Sequence, residues 1–222
     1  MVRQKGGNKN ILSFYDFFKS GDQACVVLQY CPQTLTEHLR DQDHILTPAD
    51  RQGFALSICE GIKFLHSIGL VHRDIKPDNI LITSNGEIKI ADLGAATTLD
   101  ANGQTTGFCG TPGYSAPEVK DNTTPYDIKV DSVSLGSTIH FIIAGKPVLI
   151  KDRSTSIYQY DNQIPKSWKS ARDLVEDLAK KDPSLRASID EALAHVFFKE
   201  NLGATTHVVQ PSSSAHEGKG KE

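Results

Sequence analysis

His72-Arg73-Asp74-Ile75-Lys76-Pro77-Asp78-Asn79 is the stretch on which the reading of this chain turns. It offers a carboxylate at Asp74, an amine two residues on at Lys76 and a side-chain amide five residues on at Asn79. Upstream, Thr47-Pro48-Ala49-Asp50 sets a capping threonine, a first-turn proline and an acid at the third position, a strong helix start. Phe54, Ile58, Ile62 and Leu65 then recur at helical spacing, and Gly69 closes the helix. Downstream, Ile80-Leu81-Ile82 and Ile88-Lys89-Ile90 flank Asn85-Gly86, a hairpin signal because that turn needs positive φ. The octapeptide is therefore a loop between two rigid elements, and Asp92-Leu93-Gly94 follows the second strand.

Working outward, the first thirty residues read as two strands. Ile11, Leu12, Phe14, Tyr15, Phe17 and Phe18 form one apolar cluster and Ala24–Leu28 another, with Ser20-Gly21-Asp22 as the turn. A polar break at Pro32-Gln33 leads into helices. From Leu93 to Thr124 periodicity disappears, and a loop of that length in a compact domain is functional or disordered. Helical patterning returns at Val130–Ala144, ended by Gly145 and Pro147, at Ala171–Lys180, and at Ser188–His195 with a Ser188/Glu191 capping box. The final residues, rich in Gly, Ser, His and charge, read as a solvated tail.

The chain has 222 residues and a net charge of −3. So near-neutral a balance excludes a protein that mainly coats nucleic acid or an anionic membrane. No apolar run reaches the ~18 residues of a membrane span. The four cysteines (Cys25, Cys31, Cys59, Cys109) lack CxxC spacing, so reduced thiols in a cytoplasmic or nuclear setting are expected, packed as small apolar groups.

The polar groups of the central loop fit one chemistry. Oxygen ligands from one Asp and one Asn suit a hard, partly hydrated ion such as Mg²⁺. A carboxylate beside a lysine can accept a hydroxyl proton while the amine faces negative charge developing on a phosphoryl group. Taken singly, Asp and Asn also cap turns. What sets this loop apart is its company: Asp92-Leu93-Gly94 and then Gly110-Thr111-Pro112-Gly113-Tyr114-Ser115-Ala116-Pro117-Glu118, in that order.

Those three motifs resemble the eukaryotic protein kinase family, Ser/Thr type. The resemblance implies an α+β, protein-kinase-like fold with a mostly helical C-lobe and a partial N-lobe. It divides the chain into an N-lobe remnant and hinge at 1–31, a C-lobe at 32–200 and a disordered tail at 201–222. Asp74 would be the base that orients the substrate hydroxyl, Lys76 a contact to the γ-phosphate, and Asn79 with Asp92 the Mg²⁺ ligands. Leu81 would floor the adenine pocket, Leu28 would back it, and Gln29, Tyr30 and Cys31 would form the hinge. Thr111 would brace Asp74 and Lys76, Glu118 would pair with Arg186, and Asp131 would hold the backbone of the loop. Val133 stands where the family usually has Trp or Tyr.

ATP, Mg²⁺, a protein substrate and a partner kinase or regulator follow from the same resemblance, with no nucleic acid and no membrane. Arg73 is similar to the arginine that pairs with loop phosphate in some kinases. The threonines at 97, 98, 105 and 106 are either phosphosites or solvated loop residues, Thr106 lying three residues before Cys109. The family's Gly-rich loop and strand lysine find no counterpart here, which implies an N-terminally truncated domain. Three functions compete: Ser/Thr phosphotransfer, a catalytically impaired binding or regulatory module, and small-molecule phosphotransfer. Lys76 and the Gly110–Glu118 loop argue against the last.

Overall fold

The computed structural model describes residues 7–41, 46–152, 157–159 and 164–202. An antiparallel hairpin comes first, β1 (Phe14–Ser20) against β2 (Gln23–Leu28), turning where Gly21 takes φ +60°. After it come β3 (Gln33–Thr34), α1 (Leu35–Arg40), α2 (Pro48–Ser67), β4 (Leu70–Val71), β5 (Ile80–Ile82), β6 (Ile88–Ile90) and β7 (Thr97–Thr98). The remainder is α3 (Val130–Ala144), β8 (Leu149–Asp152), β9 (Ile157–Gln159), α4 (Lys169–Leu178) and α5 (Ile189–Ala194). Helices joined to small separate sheets make this an α+β arrangement, as expected.

Local chemistry accounts for the element boundaries. The Thr47 hydroxyl accepts from the Asp50 N–H (3.2 Å), and the Asp50 carboxylate accepts from the Thr47 N–H (2.8 Å), so two otherwise unpaired donors at the start of α2 are satisfied. Ser188 and Glu191 do the same for α5. Thr34 and Glu37 form a third such box, which places α1 directly after the two-residue β3. At the hairpin β5–β6, only Gly86 takes positive φ (+81°) and Asn85 does not. The Thr83 N–H reaches the Glu87 carbonyl (3.0 Å) and the Gly86 N–H the Thr83 carbonyl (2.9 Å). The Thr83–Glu87 bond closes a three-residue loop, 84–86, with Gly86 alone in the left-handed region, not the two-residue turn that Asn85-Gly86 suggests.

The core lies where α2, α3, α4 and α5 meet the β5–β6 hairpin. Ile58, Ile62 and Leu65 of α2, Leu135 and Ile139 of α3, and Leu174 and Leu178 of α4 are fully buried. Each such side chain contributes about 1.5–3 kcal/mol. Nearly every residue of α3 is buried, Val133 included, which marks it as the central helix. A second cluster of Val71, Ala116, Val119, Tyr126, Val130 and Val133 lies beneath the long loop. The segment Asn10–Leu12 is bonded onto β6, with Ile90 N–H to Asn10 O at 2.7 Å and Leu12 N–H to Ile90 O at 2.9 Å.

Two further expectations need correction. Only Cys59 is buried; Cys25, Cys31 and Cys109 are half-buried free thiols, since they sit on the hairpin or on loops, Cys109 at the edge of the second cluster. The fourth helix runs Lys169–Leu178, two residues earlier than its periodicity suggests, because Arg172 N–H already bonds the Trp168 carbonyl (3.0 Å). The β8–β9 pair carries no turn signal that the sequence made plain. Of the expected tail, positions 203–222 lie outside the described residues.

Candidate active site

The end of α2 delivers the chain to the site. Gly69 (φ +74°) reverses direction after α2, and Leu70-Val71 pairs with Thr97-Thr98. The next two backbone N–H groups, of His72 (2.9 Å) and Arg73 (2.8 Å), donate to the two oxygens of Asp131 at the start of α3. Arg73 takes φ +69°, a costly region for a non-glycine residue, and the Asp131 clamp holds it there. His72 is fully buried. Its Nδ1 accepts the Asp74 N–H (3.2 Å), so Nε2 carries the proton and donates to the Ala91 carbonyl (3.0 Å). One imidazole thereby ties the start of the loop to the residue before Asp92.

Three polar side chains converge around the Asp74 carboxylate. The Thr111 hydroxyl donates to Oδ1 (2.7 Å), while Lys76 Nζ (2.9 Å) and Asn79 Nδ2 (3.0 Å) approach Oδ2. Lys76 Nζ also donates to Thr111 Oγ1 (2.7 Å), closing a triangle across 35 residues of sequence. Burial on its own raises the Asp74 carboxyl. The bonds from Lys76 and Thr111, the lysine charge and the bond from Asn79 outweigh it and hold the group below the ordinary aspartate value. A carboxylate accepts about four hydrogen bonds. Three are filled, which leaves Oδ1 one lone pair for an incoming donor.

Asn79 ends a short 3₁₀ turn, Pro77–Asn79, and is 8% exposed. Both hydrogens of its Nδ2 are used on Asp74, on the backbone oxygen (2.9 Å) and on Oδ2. The amide oxygen is thus left as an acceptor. The Asn79 carbonyl receives the Ala91 N–H (2.9 Å), which brings the next residue, Asp92, alongside. Asp92 is exposed in a left-handed conformation (φ +56°), with Oδ1 accepting the Gly94 N–H (3.1 Å). An amide oxygen and a carboxylate from adjoining backbone fit a hard cation that keeps waters or phosphate oxygens as its other ligands. Among the described residues no cluster of three or more His, Cys, Asp or Glu could hold a metal ion.

The other named positions are less enclosed. Leu81 is half-buried on β5, and Leu28 is 47% exposed. The Gln29 N–H is bonded to the Ser13 carbonyl (2.9 Å), so its backbone can offer a ligand only its own carbonyl. Its Oε1 is buried without a partner. Cys31 is half-buried; burial pushes its thiol up, against the opposing pull of Lys89. Arg73 reaches across the long loop, with Nε on the Ala95 carbonyl (2.6 Å) and Nη1 on the Thr106 carbonyl (3.0 Å) and the Tyr126 hydroxyl (3.0 Å). Two contributors escaped the sequence reading. Tyr126 carried no local signal, and His66 Nε2 (2.8 Å from Asp131 Oδ2) stood in the last turn of an amphipathic helix.

The family model described as Protein kinase domain matches residues 1–198. The chain belongs to the protein kinase family. It is 32% identical to the probable serine/threonine-protein kinase CCRP1 of Zea mays, over 93% of this chain and 35% of that protein. It is 30% identical to the phosphorylase b kinase gamma catalytic chain, liver/testis isoform, of Mus musculus, over 92% of this chain and 54% of that one. It is 31% identical to the inactive serine/threonine-protein kinase PLK5 of Mus musculus, over 93% and 35%. The kinase chain thus spans about a third to a half of the length of these relatives. Protein kinases as a family use ATP with Mg²⁺. No helix among the described residues is long and apolar enough to cross a membrane.

Proposed function

We propose that this kinase chain transfers the γ-phosphoryl group of Mg·ATP to a Ser or Thr hydroxyl of a protein. The observation that carries this reading is the Asp74–Lys76–Thr111–Asn79 cluster with its one unfilled acceptor position. Asp74 takes the hydroxyl proton as the oxygen attacks; Thr111 and Asn79 aim the carboxylate for that step. Lys76, which already touches both Asp74 and Thr111, sits where it can meet charge developing on a phosphoryl oxygen. When bound, the nucleotide supplies an electrophilic phosphoryl group whose charge the metal screens. The Asn79 amide oxygen and the Asp92 carboxylate would hold the ion. Leu81, with the backbone of Gln29 and Cys31, would seat the adenine. In this reading residues 1–31 serve as the small-lobe portion and hinge, and 32–200 as the catalytic lobe.

A second reading is a binding or regulatory module without turnover. The open β1–β2 hairpin favours it: Phe17 is 53% exposed, Val26 55% and Leu28 47%, so apolar side chains on both strands face water. Phosphotransfer by the full chain and by Asp74→Asn, on a Ser/Thr peptide library with radiolabelled ATP, tests the first reading. Turnover that the substitution abolishes supports it, and equal turnover in both proteins removes Asp74 from the role. A melting shift with Mg·ATP but no turnover in either establishes the second; a ligand at 100 times its Kd stabilises by about 2.7 kcal/mol.

A further inference from the structure

Tyr126 fastens the stretch leading to Thr111 to the body at two places, through its hydroxyl and through its backbone. Tyr126 is 3% exposed, packed in the second cluster with Val119 and Val130. Its hydroxyl donates to the Gly107 carbonyl (2.6 Å) and accepts from Arg73 Nη1 (3.0 Å). Its backbone makes both bonds of an antiparallel bridge with Thr105, at 2.8 and 2.9 Å. Nearby, the Phe108 N–H donates to Asn122 Oδ1 (2.8 Å). The Arg73 guanidinium is therefore engaged by two main-chain carbonyls and a phenol, all of them uncharged. Because the phenol hydrogen points to Gly107, its lone pairs face Arg73, and the chain N–H to O–H to O=C is mutually polarising.

We infer that Tyr126 is a positioning residue: its hydroxyl holds Arg73 and the 105–109 stretch in place with no phosphate on Thr105 or Thr106, so that Thr111 reaches Asp74. A phosphate is the usual charged partner for an arginine in such a loop. Here the phenol of the buried Tyr126 meets the same guanidinium. The catalytic meaning of the clasp rests on the phosphotransfer reading, whereas the clasp itself is a matter of geometry.

Hydrogen exchange of the full chain, shown by mass spectrometry to carry no phosphate, reads the clasp without reference to turnover. The amides of Thr105 and Phe108, which donate to the Tyr126 carbonyl and to Asn122 Oδ1, are expected to be protected in the unmodified protein. In Tyr126→Phe, which keeps the buried ring, they should exchange about tenfold faster, the size of one lost hydrogen bond. Amides of α3 should keep their protection. Adding Thr106→Glu to Tyr126→Phe should restore most of the lost protection, because a carboxylate gives Arg73 a new acceptor and would not repair a packing defect. Four results overturn the inference: protection that appears only after phosphorylation, no change in Tyr126→Phe, a loss spreading equally into α3, or no rescue by Thr106→Glu. Absence of phosphotransfer in every variant would end the catalytic reading while leaving these exchange results to decide the clasp.

Discussion

Arg186 and Glu118 form a two-pronged ion pair, Nη1 to Oε1 at 2.5 Å and Nη2 to Oε2 at 3.1 Å, across 68 residues of sequence. The arginine side chain has no exposure, and its other hydrogens go to the carbonyls of Lys180, Lys129 and Lys181. Removing the acid leaves a buried cation. Glu118→Ala should cost about 3–5 kcal/mol, read as a drop in urea midpoint. The double variant Glu118→Ala with Arg186→Met should recover much of that loss, because no unpaired charge stays inside.

Asp131 sets a pH dependence. Burial raises its carboxyl, but the bond and charge of His66, the charge of His72 and the bond from the His72 backbone together keep it below the ordinary value. A carboxylate lowered in the folded state contributes stability that is fully present above its unfolded value of about 4 and is lost as pH falls through the folded value. The unfolding midpoint should therefore fall on acidification below about pH 4. In Asp131→Asn it should start lower and vary less over that range.

Thr111→Val keeps the shape and removes the hydroxyl that donates to Asp74 and accepts from Lys76. One of the bonds holding Asp74 down is lost, so its carboxyl rises towards the ordinary value. The acidic limb of a kcat profile should move to higher pH, with kcat falling roughly 10- to 100-fold at neutrality. An unshifted limb would separate Thr111 from the carboxylate's ionisation.

Two glycines of α2 should respond to alanine with opposite sign. At Gly53 an added Cβ meets nothing within 4 Å, so Gly53→Ala should stabilise by about 0.5–1 kcal/mol through helix propensity. At Gly61 the same atom would lie 2.6 Å from Ile90 Cδ1 and 3.2 Å from both Cβ and the carbonyl oxygen of Asn10. The isoleucine tip can swing aside, but the Asn10 backbone is bonded to β6, so Gly61→Ala should destabilise by about 1–3 kcal/mol. Thermal melts of the two variants decide both.

Much of the local architecture was legible in the residues. Thr47, Pro48 and Asp50 fix the start of α2, and the Ser188/Glu191 box fixes α5. Gly145 ends α3 at φ +68°. Each is a bond between groups three or four positions apart, which residue order states outright. Thr34 and Glu37 carry the same signal for α1, masked by the break at Pro32-Gln33 directly before it. The turn after Ile82 is not fixed by residue type, because loop length depends on which backbone pairs close, and Asn85-Gly86 is compatible with more than one.

By itself the sequence determined that Asp74, Lys76, Asn79 and Asp92 belong to loops flanking a capped helix and a hairpin, because spacing and capping are short-range chemistry. Only the folded chain decided which of their atoms are satisfied. Thr111 reaches Asp74 from 37 positions away, Asp131 grips two amides from 58 and 59 away, and Tyr126 meets Arg73 across 53. Contacts of that kind leave no periodic trace, since they depend on how α3 buries itself and where the long loop is then forced to run.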